Sequence, residues 1–121
     1  MQVLLIDDDD DDVLFFNDAL RHIYPAADLR RFASSEEAIQ SINSEKVKCP
    51  DIIFIDINMP GSNGWVCLQQ IRKIAGWIGI PTVMYSSAYR EHVVIPTEVG
   101  HVAYYRKSDS LQEICTGKRR R

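Results

Sequence analysis

Three aspartates and a lysine stand where a parallel sheet would bring them together. Asp7 and Asp8 follow the apolar run Val3–Ile6, Asp56 closes the run Ile52–Ile55, and Lys107 follows the run Val102–Tyr105. Parallel strands of an open α/β sheet deliver their carboxyl ends to one edge, so residues far apart in sequence meet there. Carboxylates gathered in one crevice repel, and unit charges about 4 Å apart cost about 1 kcal/mol in water and about 4 at an effective dielectric of 20. A hard divalent cation relieves that repulsion, and Mg²⁺ favours carboxylates together with retained waters and phosphate oxygens. Ser86 ends a further run, Thr82–Tyr85. A hydroxyl and an ammonium converging on a carboxylate and a metal would neutralise the oxygens of a transferring phosphoryl group. Any one of these residues alone is weak evidence, but all of them in order at strand ends point to Mg²⁺-dependent phosphoryl chemistry.

The acidic run Asp7 to Asp12 divides into parts with different addresses. Acidic runs are usually solvated loops, but this one is pinned between a buried strand and an amphipathic helix. Asp7 and Asp8 fall at the strand end. Asp9 to Asp12 fall at the N-cap and first turn of the helix, where carboxylates complement the macrodipole by roughly 0.3–1 kcal/mol each. An EF-hand does not fit, since the glycine and the distal glutamate of a Ca²⁺ loop are missing. After Asp56, the segment Asn58-Met59-Pro60 and Gly64 has the chemistry of a turn that holds backbone close to a ligand. His22, His92 and His101 lack metal-ligand spacing, and no phosphate-binding glycine loop is present.

The elements that must position these groups alternate. Val3–Ile6 is a continuous apolar run, and Asp51–Asp56 holds another in Ile52, Ile53, Phe54 and Ile55, as expected of strands buried on both faces. Leu29–Phe32 is a weaker second strand; Thr82–Tyr85 and Val102–Tyr105 complete the set. Val13, Phe16, Leu20 and Ile23 recur at helical spacing before Pro25. Ser34 and Glu37 form a capping box for a helix with Ala38, Ile39 and Ile42 inward. Cys67, Leu68, Ile71 and Ile74 mark a third helix, and Leu111, Ile114 and Cys115 a short last one. Trp65 and Trp77 flank the third helix as packing residues. Strand–helix alternation predicts a parallel sheet covered on both sides by right-handed crossovers.

Composition sets outer limits. A chain of 121 residues is one domain by length, and 45% hydrophobic with 26% charged content is ordinary for a globular protein. No apolar stretch approaches the roughly 18 residues of a membrane span, and the chain opens directly into a strand rather than a signal peptide. Cys49, Cys67 and Cys115 form no C-x-x-C pair and read as reduced thiols of a cytoplasmic protein. A net charge of −3 argues against direct nucleic-acid binding, although Lys118 to Arg121 are all basic.

These motifs resemble a receiver domain of the bacterial two-component response regulators, of the stand-alone chemotaxis-regulator-like kind, over essentially the whole chain. The resemblance rests on Val3-Leu4-Leu5-Ile6-Asp7-Asp8, on Asp56-Ile57-Asn58-Met59-Pro60 with Gly64, on Ser86 following the strand led by Pro81, and on the Gly-x-x-x-Tyr-x-x-Lys ending from Gly100 to Lys107. It implies a flavodoxin-like, doubly wound α/β fold with a five-stranded parallel sheet in the order 2-1-3-4-5. Residues 1–116 would be the receiver domain and 117–121 a basic tail. Asp56 would take a phosphoryl group from a sensor histidine kinase or a histidine phosphotransfer protein. Asp8 and Asp56 would ligate Mg²⁺, Asp7 acting mainly through a bound water and Asn58 through its backbone carbonyl. Ser86 and Lys107 would hold the phosphoryl oxygens, and Ser86 and Tyr104 would form the switch that changes contacts with an unknown downstream protein. No external substrate is turned over in this reading; nucleic acid and membrane are not partners.

The alternative is a Mg²⁺-dependent phosphohydrolase with Asp56 as nucleophile, but Asn58 stands where such an enzyme would place its general acid. A pure interaction module with a vestigial acid pocket is disfavoured because the whole site is present. Three departures from the family pattern bear on the output surface. Ser108 replaces the proline that usually follows the lysine, and without proline a cis bond costs about 2.5–4 kcal/mol, so Lys107–Ser108 is expected to be trans. Ile95-Pro96 interrupts the fourth-helix segment, since proline in a helix interior costs about 3 kcal/mol. The last helix is only about two turns long.

Overall fold

The structure, a computed structural model, describes residues 1–59, 62–74, 76–86 and 102–106. Five strands form one parallel sheet: β1 (Gln2–Ile6), β2 (Asp28–Phe32), β3 (Ile52–Asp56), β6 (Thr82–Ser86) and β7 (Val102–Arg106), in the order β2-β1-β3-β6-β7. Between β3 and β6 lies a small antiparallel hairpin, β4 (Asn58–Met59) with β5 (Ser62–Asn63). With the hairpin set aside, the sheet has the expected order 2-1-3-4-5. The hairpin occupies the segment read as a turn, and its two-residue strands are too short to leave a periodic signal.

The apolar runs are buried on both faces because alternate residues enter different cores. Val3 and Leu5 of β1, Phe54 of β3 and Val83 of β6 pack against Phe16 and Leu20 of α1 (Asp10–Ile23). Leu4, Ile6, Ile53, Ile55 and Met84 face the other way, against Ala38 and Ile42 of α2 (Ser35–Asn43) and Cys67, Leu68 and Ile71 of α3 (Gly64–Arg72). Helices therefore cover both faces of the sheet. Only Phe32 of β2 is buried, which explains that strand's weak sequence signal. Trp77 is buried in the α2–α3 core and Trp65 is half-buried against it, the packing roles expected of them.

Helix boundaries follow local chemistry. The Ser34 hydroxyl accepts from the Glu37 backbone N–H at 3.1 Å, which satisfies one of the free donors at the start of α2. Asn63 caps α3 by accepting from the Trp65 N–H at 2.8 Å. α3 ends at Arg72 rather than at Ile74, and the Arg72 guanidinium donates to the carbonyls of Ile78 and Ile80, fastening the connection into β6.

Cys67 is fully buried, and burial pushes its thiol up to about 12, partly offset by the Ser35 hydroxyl; Cys49 is exposed. The neutral thiol stabilises the fold fully below about 9, and that contribution falls as pH rises toward 12. Alkylation near neutral pH, read by peptide mass, is expected to modify Cys49 and to spare Cys67 until the protein unfolds. The Ile95-Pro96 segment, Gly100, His92, His101, the Lys107–Ser108 bond, the last helix with Cys115 and the basic tail lie outside the described residues.

Candidate functional site

Asp56 is the last residue of β3 and is almost fully buried, with 3% exposure. Asp7 is the first residue past β1; its N–H donates to the Phe32 carbonyl at 3.0 Å, and the residue is wholly buried. Asp8 follows in the open. One ligand atom from each of these three carboxylates lies within 4.8 Å of the others, the one such group among the described residues. At that spacing each pair repels by roughly 3 kcal/mol or more at an effective dielectric of about 20, less where Asp8 meets solvent. The carboxyl edges of β1 and β3 thus assemble the cluster from residues about fifty positions apart in sequence.

The rest of the acidic run is helix-capping. Asp9 is the N-cap of α1, its carboxylate accepting from the Asp12 N–H at 3.0 Å, and Asp10, Asp11 and Asp12 occupy the first turn. The Asp9 N–H in turn donates to Oδ1 of Asp7 at 3.0 Å, so the cap and the crevice are one hydrogen-bonded turn.

Two residues at the site carried no role in the sequence reading. Arg31 of β2 donates from Nε to the Asp7 carbonyl and from Nη2 to the Asp10 carboxylate, each at 2.9 Å, which ties the acidic loop to the sheet edge. Tyr85, the β6 register partner of Asp56, donates its hydroxyl to Oδ2 of Asp7 at 2.5 Å. Burial first, then the charge of Asp7 and the hydrogen bond to it, push the Tyr85 phenol well above its ordinary value, so the proton stays on the phenol. Strand parity could have signalled this contact: Val3, Leu5 and Asp7 share one face of the sheet, as do Val83 and Tyr85.

Gly64 was expected to bring backbone close to a ligand; its close neighbour is the site's own backbone. A Cβ there would stand 2.6 Å from the Asp56 carbonyl oxygen and 2.8 Å from the Ile57 Cα, and the Gly64 N–H donates to the Ile57 carbonyl at 3.1 Å. The start of α3 is thereby pressed against the segment that carries Asp56.

Asn58 lies two residues beyond Asp56, in register with Asn63 in the hairpin. Ser86 is the last residue of β6, in register with Arg106, and Tyr104 of β7 is in register with Met84. Lys107 and Pro60 lie outside the described residues, as do the side chains of Asn58, Ser86 and Tyr104. The site brings together Asp7, Asp8 and Asp56 and sets the backbone of Ser86 on the neighbouring strand.

The chain belongs to the response regulator receiver domain family, whose model matches residues 3–116. In sequence it is 31% identical, over 98 residues and 81% of its length, to a protein-glutamate methylesterase/protein-glutamine glutaminase of Vibrio cholerae. It covers 36% and 25% of the lengths of two curated relatives that it matches. In structure it is similar to a putative response regulator from Chloroflexus aurantiacus, with a TM-score of 0.80 at 27% identity over 96% of this chain and 92% of that one. The Mn²⁺-bound form of the response regulator Rcp1 has the same fold, with a TM-score of 0.77 at 22% identity over 97% of this chain and 88% of that one. A flavodoxin-like receiver domain of a two-component system is therefore the class to which this chain belongs.

Proposed function

We propose that this receiver domain is a phosphoryl-controlled switch in which Asp56 accepts a phosphoryl group from a histidine donor with Mg²⁺ bound at Asp7, Asp8 and Asp56. The observation that carries the reading is the carboxylate cluster, with donor atoms within 4.8 Å at the carboxyl edge of the sheet. Three hard oxygen donors, one of them exposed to solvent, suit a divalent cation that keeps several waters. The structural neighbour described as Mn²⁺-bound supports a divalent cation in this fold. When bound, Mg²⁺ lowers the repulsion among the carboxylates and offsets charge on the phosphoryl oxygens.

In this reading Asp56 supplies the nucleophile. A carboxylate oxygen forms a bond to phosphorus as the phosphorus–nitrogen bond of a phosphohistidine breaks, and the imidazole leaves with the electron pair and takes a proton from solvent. The product is an acyl phosphate, and water later returns it to carboxylate and inorganic phosphate. Asp7 acts through a bound water and Asn58 through its backbone carbonyl, while Ser86 and Lys107 hold the phosphoryl oxygens. Ser86 and Tyr104 then bias the β6–β7 edge by population shift, altering contacts with a downstream protein. The donor is a sensor histidine kinase or a histidine phosphotransfer protein in the cytoplasm. The domain turns over no substrate beyond its own acyl phosphate, so the chemistry is self-phosphorylation and autodephosphorylation.

Mixing the protein with Mg²⁺ and acetyl phosphate tests this directly. A switch gains about one phosphate per chain and then loses it slowly. Continuous turnover would favour a phosphohydrolase, and no incorporation would make the acid pocket vestigial. Asp8→Ala supplies a check on the metal. Asp8 is exposed, so the fold should survive its removal. Saturation by Mg²⁺ in a fluorescence or NMR titration is expected to vanish over the range that saturates the wild type, and unchanged affinity would remove Asp8 from the metal shell.

A further inference from the structure

The Tyr85 hydroxyl and a cation have claims on the same carboxylate. The phenol donates to Oδ2 of Asp7 at 2.5 Å across 78 residues of sequence, with both groups buried. The other oxygen, Oδ1, accepts from the Asp9 N–H at 3.0 Å. The ring that aims the hydroxyl is fixed by its neighbours: Phe54 stands perpendicular to it at 6.5 Å and Phe16 lies tilted at 6.4 Å. The Tyr85 carbonyl also accepts from the Ile57 N–H at 2.9 Å, so one residue anchors both the segment after Asp56 and the carboxylate of Asp7.

We infer that Tyr85 is a positioning residue that holds Asp7 in the metal-free site and thereby weakens divalent-cation binding there. The inference rests on the reading of Asp7, Asp8 and Asp56 as the metal site, with Asp7 reaching the cation through a bound water. A hydroxyl donating to an ionised carboxylate at this distance is a charge-assisted bond, about twice as strong as a neutral one. Its strength depends on the negative charge that Asp7 presents. A cation drawing on the same charge weakens the bond, and by thermodynamic reciprocity the bond weakens the cation's hold equally. The phenol therefore stabilises the empty site more than the filled one. It lets three crowded carboxylates coexist without a metal and keeps the cation exchangeable.

The conservative change Tyr85→Phe keeps the ring and removes the donor. Mg²⁺ is expected to bind about three- to tenfold more tightly to this variant than to the wild type. The metal-free variant melts at lower temperature, and the gain in melting temperature on saturation with Mg²⁺ is larger than in the wild type. A residue that served only packing would lower stability equally with and without Mg²⁺ and leave the affinity where it was. Site-specific replacement of Tyr85 by fluorotyrosine provides a second variant of nearly the same shape with a stronger donor, and its Mg²⁺ affinity is expected to fall. Both are read by NMR or fluorescence titration with MgCl₂ alone.

Opposite displacements in the two variants support the inference. Equal or weaker Mg²⁺ binding by Tyr85→Phe overturns it while the metal reading stands, provided that the wild type saturates. If the wild type itself shows no saturable response, the metal reading fails and takes this inference with it. A Tyr85→Phe protein that folds only with Mg²⁺ counts in favour; if it folds under neither condition, the fluorotyrosine variant decides, and affinity unchanged or raised there overturns the proposal.

Discussion

Asp56→Asn is expected to abolish phosphate incorporation, whereas Asp10→Asn leaves it nearly unchanged. Both residues are carboxylates near the same sheet edge, but their surroundings differ. Asp56 is buried at the end of β3 within the carboxylate cluster, and the amide that replaces it is a much poorer nucleophile. Asp10 projects into solvent, pairs with Arg31 at 2.9 Å and lies in the first turn of α1. Losing a surface ion pair and a dipole contact costs about 1 kcal/mol or less, too little to unfold the domain. Intact-mass measurement after treatment with acetyl phosphate and Mg²⁺ separates the two variants. Incorporation by Asp56→Asn at the wild-type level would remove Asp56 from its role, and loss in Asp10→Asn would show that the cap of α1 belongs to the reactive site.

The second large effect is expected of Gly64→Ala, a change of one methyl group outside the acidic cluster. In an ordinary helix alanine is more stable than glycine by about 1 kcal/mol. Here the added Cβ would sit 2.6 Å from the Asp56 carbonyl oxygen and 2.8 Å from the Ile57 Cα, and both are backbone atoms that cannot rotate away. Forced overpacking of this kind costs typically 1–3 kcal/mol, so the net change is destabilising. The strain falls on the segment that holds Asp56, and displacement of a reacting group by about 1 Å lowers rates by about 10- to 100-fold. Thermal melting and the rate of phosphorylation should therefore fall together. A variant as stable and as fast as the wild type would mean that α3 can move away from Asp56 without consequence.

The parts of this architecture that were legible in the sequence are those with a repeated physical signal. β1 and β3 announce themselves as unbroken apolar runs because both faces of the sheet are covered. α1 and α2 show helical spacing together with N-terminal oxygen acceptors, and Asp9 and Ser34 cap them in the structure. The division of the aspartate run was readable for the same reason, since a strand end and a helix start make different demands on a carboxylate. The hairpin of β4 and β5 has no period to detect. Gly64 was visible as a turn residue, but not the fact that Asp56 itself is its close neighbour. The Tyr85–Asp7 bond joins two strands that are not sheet neighbours, with β3 between them, and parity alone places both side chains on the α1 face. Arg31 fell within the weakly signalled strand Leu29–Phe32, and only the folded sheet shows that it reaches the carbonyl of Asp7.

The most direct test of phosphorylation at Asp56 is to locate the phosphate. The protein is incubated with acetyl phosphate in Mg²⁺ or in a chelator, the acyl phosphate is trapped by reduction, and the modified peptide is sequenced by mass spectrometry. A single modified residue, Asp56, found only when the divalent cation is present, is the predicted result. Modification centred on another residue, or incorporation that proceeds equally well in the chelator, would contradict the account.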